Sequence, residues 1–178
     1  MKEDKFKELI LYVAQKCANH EKYGKTKLNK ILFFSDFITY AKRGESITGA
    51  DYFKLPKGPA PRQMKPILKE LIDSGDIVLV PRRIFTHTQE RPTALREPNL
   101  SVFSGDEIAI VDEVIEILRD KLAEEVSDLS HYYLGWQLVN ERESIPYDSV
   151  YWNITKKEDI TQRDIEIGRE IAVNLWAV

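Results

Sequence analysis

The chain has 178 residues, 43% of them hydrophobic and 31% charged, with a formal net charge of −3. That balance fits one globular domain with a real core and excludes a low-complexity chain. No apolar run approaches the ~18–20 residues that cross a bilayer. The charged N-terminus MKEDKFKELILYVAQKC lacks a signal-peptide h-region and cleavage site.

In chain order, the first helix is expected over about residues 3–19, where Phe6, Leu9, Ile10, Val13, Ala14 and Cys17 form one apolar stripe. Cys17 is the single cysteine, so an internal disulfide framework is excluded. A buried structural thiol in a reducing cytoplasm is expected. A second helix starts near Thr26 and ends near Lys42, stopped by Gly44. Leu28, Ile31, Leu32, Phe34, Phe37 and Ile38 cover more than one of its faces, which places it at the centre of the fold. A third helix spans about Pro61 to Ser74, with Pro66 in its early turns and Gly75 as its stop.

Two short strands then follow at 77–80 and 83–86, around Pro81, succeeded by a polar, proline-broken connection over 87–99 and a third short strand over 100–103. Ser104-x-x-Glu107 is a capping box that opens a fourth helix carrying Ile108, Val111, Val114, Ile115, Leu118 and Leu122. A fifth helix is expected over 127–139 and a last one over about 161–176. The expected fold is α+β: a mainly helical single domain of about six helices, with a small antiparallel β-ribbon after the third.

Charge is distributed unevenly. Residues 1–100 carry 19 Lys and Arg against 12 Asp and Glu, whereas residues 101–178 carry 7 against 17. Such polarity either steers a charged partner or lets the two halves complement each other in an intramolecular or dimer contact.

The motifs in this order resemble the Panacea domain, the SocA-like antitoxin family of bacteria and phages. The pieces are Tyr23-Gly24-x-Thr26-x-Leu28-x-Lys30 with Phe33 and Asp36; Gly44, Ile47-Thr48-Gly49, Tyr52 and Gly58-Pro59; and Leu129-Ser130-His131, Trp136 and Ile145-Pro146-Tyr147, with Ser104-x-x-Glu107 between. The resemblance covers about residues 8–152, leaving the helix expected at 161–176 as an extra. It implies an antitoxin that neutralises a protein toxin, encoded next to it, by direct binding, with delivery of the toxin to an ATP-dependent protease as a further family property.

No chemistry of the enzyme kind is legible beside it. His20, His87 and His131 have no His or Cys neighbours at ligand spacing, and the glycines form neither GxGxxG nor a P-loop. No cofactor, metal or catalytic residue is expected. Ser130-His131 beside Asp128 is not a triad, because adjacent helix residues point in different directions. An ordinary ion pair or helix cap is the first account of Lys30 and Asp36, since buried charges need partners. The functional account makes Lys30, Asp36, Tyr52, Gly58 and Pro59 a partner-binding surface, with His131, Trp136, Pro146 and Tyr147 as its structural support. The alternative function is a winged-helix-like DNA-binding regulator using the helix at 61–74 and the ribbon at 77–86. Arg62, Lys65, Lys69, Arg82 and Arg83 would contact phosphates there, although the pI of about 5.7 argues against it.

Overall fold

A computed structural model describes residues 1–84 and 87–152. Among them are six α-helices and two antiparallel two-stranded sheets, an α+β, mainly helical fold. The helices are α1 (Glu3–Lys16), α2 (Lys25–Arg43), α3 (Met64–Asp73), α4 (Gly105–Leu118), α5 (Ala123–His131) and α6 (Leu134–Leu138). The strands are β1 (Tyr52–Phe53), β2 (Ala60–Pro61), β3 (Ile77–Ile84) and β4 (His87–Ala94). Two 3-10 turns lie at Leu100–Val102 and Tyr147–Tyr151.

As the all-round apolar pattern requires, α2 is the axis of the fold. Every residue from Lys30 to Thr39 is buried, and the helix packs on α1, α4, α5, β2, β4 and the 147–151 turn. Gly44 ends it in the left-handed region at φ 75°, which a residue lacking Cβ adopts without strain. The capping box of α4 is present: the Ser104 N–H donates to Glu107 Oε2 at 2.8 Å, and the Glu107 N–H to Ser104 Oγ at 3.3 Å.

The uneven charge is used within the molecule. Basic side chains of α1 and α2 meet the acidic first turns of α4: Lys5 Nζ lies 2.6 Å from Glu107, Lys16 3.1 Å from Asp112, and Arg43 3.7 Å from Asp106. Tyr12 adds a 2.6 Å bond from its hydroxyl to Asp112 Oδ1.

Several expectations need correction. The third helix starts at Met64 because Ala60 and Pro61 are spent on a β-hairpin with Tyr52 and Phe53. The proposed strands at 77–80 and 83–86 are one strand, β3, as far as Ile84, and Phe85 and Thr86 lie outside the described residues. Its partner is the segment read as a polar connection, with Val78 opposite Thr93 and Val80 opposite Arg91. Arg91 anchors that strand by donating from Nε to the Tyr23 carbonyl at 3.1 Å. Residues 100–102 are a 3-10 turn rather than a strand. Leu122 is 51% exposed, beyond the end of α4. The fifth helix divides into α5 and α6 at Tyr132–Tyr133. The helix expected at 161–176 lies outside the described residues.

Candidate functional site

Asp36 sits in the buried middle of α2 and organises the segment that follows the helix. It accepts from the Thr48 N–H at 2.8 Å on Oδ1, and from the Tyr52 hydroxyl at 2.8 Å and the Thr48 hydroxyl on Oδ2. Burial raises its pKa to about 6, against the lowering effect of these donors. The Tyr52 hydroxyl is pushed well above its ordinary range, by burial first and by Asp36 second. The carboxylate therefore ties Ile47-Thr48-Gly49 and the first strand of the hairpin to one point on α2.

Lys30 lies nearly two turns earlier on the same helix. It is 2% exposed, and its ammonium donates to the Pro59 carbonyl at 2.9 Å. Desolvation lowers its pKa to about 7. An ion pair is therefore absent between Lys30 and Asp36: one holds the end of the 54–59 loop, the other its approach.

Gly58 closes the loop with φ 88°, and a Cβ there would lie 2.2 Å from Ser130 Oγ and 2.7 Å from Lys30 Nζ. Only glycine satisfies both the backbone and the contact. Ser130 is itself turned inward, donating to the Ser127 carbonyl at 2.6 Å. Its hydroxyl is thus committed to α5, and His131 is committed elsewhere. The imidazole stacks on Trp136 at 4.2 Å and 24°. Burial, then the nearby Lys30 charge, lower the His131 pKa.

The indole of Trp136 reaches the loop directly, donating from Nε1 to the Leu55 carbonyl at 3.2 Å. Lys54 extends across the same ring at 4.5 Å and donates to the Gln137 and Val139 carbonyls at 3.1 and 2.9 Å. Pro146 and Tyr147 act one layer further in. The backbone before them joins β1 through Ile145 N–H to the Tyr52 carbonyl at 2.7 Å. Tyr147 stacks on Phe37 at 4.6 Å and donates to the Ala50 carbonyl at 2.8 Å.

The structure thus gathers these residues along the 44–59 segment and its supports, with Pro146 exposed ahead of the 147–151 turn, and Lys30, Asp36, Tyr52, Gly58 and Pro59 are buried there. What reaches solvent on the loop is the tip, Pro56 and Lys57. Thr48, Lys54 and Arg62 belong to the same assembly without having been singled out as site residues. Arg62 joins it through Asp51 at 2.8 Å and by lying 4.4 Å over the Phe53 ring. Only the hairpin register, invisible to local pattern, brings Asp51 and Arg62 together.

The helix proposed for DNA contact carries little free positive charge. Of its proposed contacts, Lys69 pairs with Asp73 and Arg62 with Asp51, which leaves exposed Lys65 without an ion pair among the described residues. Among the described residues no three His, Cys, Asp or Glu side chains gather as a metal site, and no helix is long and apolar enough to cross a membrane.

Comparison with known proteins adds the family. Residues 28–137 match the model described as antitoxin SocA-like, Panacea domain. Among curated proteins and among solved structures, none matches the chain. The matched span begins at Leu28 of α2 and ends at Gln137 of α6, so it contains the buried hub, the hairpin loop and its Trp136 support. The chain belongs to the SocA-like antitoxin family and carries its Panacea domain.

Proposed function

We propose that this protein is a non-catalytic antitoxin that binds and neutralises a protein toxin in the cytoplasm. The observation that carries the reading is the family match over residues 28–137. The geometry supports a binding role for the 44–59 segment, since a loop tied down by Asp36, Lys30 and Trp136 presents its tip with little ordering cost on association. In this reading Lys30, Asp36, Tyr52, Gly58 and Pro59 serve the partner site as its foundation, and Pro56 and Lys57 make the outward contact. Handing the bound toxin to an ATP-dependent protease is an additional proposal from the family.

Co-expression with the product of the adjacent gene tests the function. Restored growth together with co-purification of the two proteins is the expected result. The reading fails if no adjacent product is toxic or none co-purifies. Toxin half-life in cells with and without ATP-dependent proteases then separates blockade from degradation.

A further inference from the structure

The β3–β4 hairpin offers a surface unrelated to the 54–59 loop. Its hydrogen-bonding parity follows from the Leu95 N–H, which donates to the Asp76 carbonyl at 2.8 Å just before the ladder begins. With the register Val78↔Thr93, Val80↔Arg91 and Arg82↔Gln89, residues 78, 80 and 82 direct their backbone groups at β4. Residues 77, 79, 81 and 83 turn theirs outward, as do 88, 90, 92 and 94 on β4. Pro81 and Pro92 both fall in these outward sets. Each removes a donor from its edge at no cost to the ladder, and each obstructs the addition of another strand.

On β3 the face of the hairpin is not protected in this way, whereas on β4 the same face is covered where Arg91 and Gln89 meet the α1–α2 turn. Val78 and Val80 are 39% and 42% exposed, and the alternation of side chains sets exposed Arg82 on the same face. Arg82 and Arg83 have no carboxylate partner among the described residues. Arg43, Arg62, Arg96 and Arg119 each have one. Across the ladder Arg91 is turned to the Tyr23 carbonyl, and its charge is disfavoured by burial and by Arg82. An apolar strip ending in an unneutralised guanidinium is complementary to an extended segment that carries two apolar side chains and then an acidic one at every second position, all on one face. Duplex DNA is less well matched, because Arg82 and Arg83 lie on opposite faces of β3 and α3 adds no net charge beside them.

We propose that the Val78–Val80–Arg82 face is a docking surface for an acidic, amphipathic segment of a partner protein, laid along the β3 side of the hairpin face rather than added to its edge. This rests on the hairpin alone and stands whether or not the protein neutralises a toxin. The probe is a fluorescein-labelled peptide with leucine, leucine and glutamate at successive alternate positions and serine between them, titrated into the full chain at low ionic strength. A matching leucine–glutamine peptide and a short DNA duplex run alongside. The expected result is binding of the glutamate peptide alone, with amide shifts in NMR spectra centred on residues 78–82. Arg82→Glu and Val80→Asp are each expected to weaken it about tenfold or more, and Lys69→Glu to leave it unchanged. The spectra report in the same experiment that each variant is folded, and Arg82→Gln gives a milder second variant. No binding, equal binding of the glutamine peptide, indifference to Arg82→Glu and Arg82→Gln, shifts confined to the 54–57 tip, or tighter binding of the duplex would each overturn the proposal.

Discussion

Gly58 and Ser130 touch so closely that any β-carbon at position 58 would fall 2.2 Å from the Ser130 hydroxyl oxygen. The contact joins the tip of the β1–β2 hairpin to α5, and with φ 88° it makes position 58 doubly intolerant. Gly58→Ala is expected to destabilise the fold by about 2–4 kcal/mol, combining backbone strain with displacement of Ser130 and Lys30. Adding Ser130→Gly should recover part of the loss, because the Ser130 clash is relieved while the Lys30 contact and the backbone strain remain. Urea unfolding of the single and double variants measures both; full recovery would show that neither the backbone conformation nor the Lys30 contact contributes.

Lys30 gives stability a distinct dependence on alkaline pH. Its folded-state pKa is about 7, against an ordinary 10.5. Between those values the unfolded chain binds a proton that the folded chain does not, so stability rises as pH increases through the window. The slope approaches about 1.4 kcal/mol per pH unit at most. Lys30→Met should remove this component, flattening the difference between pH 7 and pH 10 in denaturant midpoints. An unchanged slope would place the ammonium in water rather than in the core.

Asp36 acts in the opposite direction at acid pH. Its pKa is raised from 3.8 to about 6, so between those values the folded state holds a proton that the unfolded state has lost. Its contribution therefore falls as pH rises from about 4 to 6 and is level above. Asp36→Asn should abolish that slope. It should also cost about 2–4 kcal/mol at neutral pH, because one amide oxygen cannot accept from the Thr48 N–H, the Thr48 hydroxyl and the Tyr52 hydroxyl together. Tyr52→Phe removes a single donor and is expected to cost about 1 kcal/mol. Unfolding curves across pH 4 to 8 test both variants.

Trp136 separates the loop from the core. Trp136→Phe keeps an aromatic face for His131 and Lys54 but loses the bond to the Leu55 carbonyl, for an expected cost of about 1 kcal/mol. Hydrogen exchange should accelerate in residues 54–59 and hardly elsewhere. If the loop contacts a partner, the same substitution weakens capture without unfolding the protein. Uniform acceleration across α2 would show instead that the loop and the core open together.

The helices were readable because each advertises itself locally. The apolar positions of α1 and α2, Gly44 and the Ser104–Glu107 box need no distant information. The sheets were misread for the converse reason. Pro81 looked like a break because local pattern cannot tell that its missing N–H faces away from β4. His87-Thr88-Gln89-Glu90-Arg91-Pro92 looked like a loop because its strand form is secured by pairing with β3 and by Arg91 reaching the α1–α2 turn. The site was legible as a set of motifs but not as a geometry. An ordinary ion pair or helix cap is the first account the sequence offers for Lys30 and Asp36, and neither is what holds them. Their partners, the Pro59 carbonyl and the Thr48–Tyr52 donors, emerge only when the chain after Gly44 folds back along α2.

The meeting of basic and acidic halves has a consequence for how the chain comes to be folded. Lys5 and Glu107 are 102 residues apart, and although α1, β2 and β4 cover part of α2, the face that α4, α5 and the 147–151 turn cover stays open until they have been made. Contacts of such separation form late, because the long intervening loop must close before they can contribute. During synthesis that face of α2 therefore stays uncovered until the C-terminal half has emerged. Any partner that engages α2 early competes with the protein's own C-terminal half for the same ground.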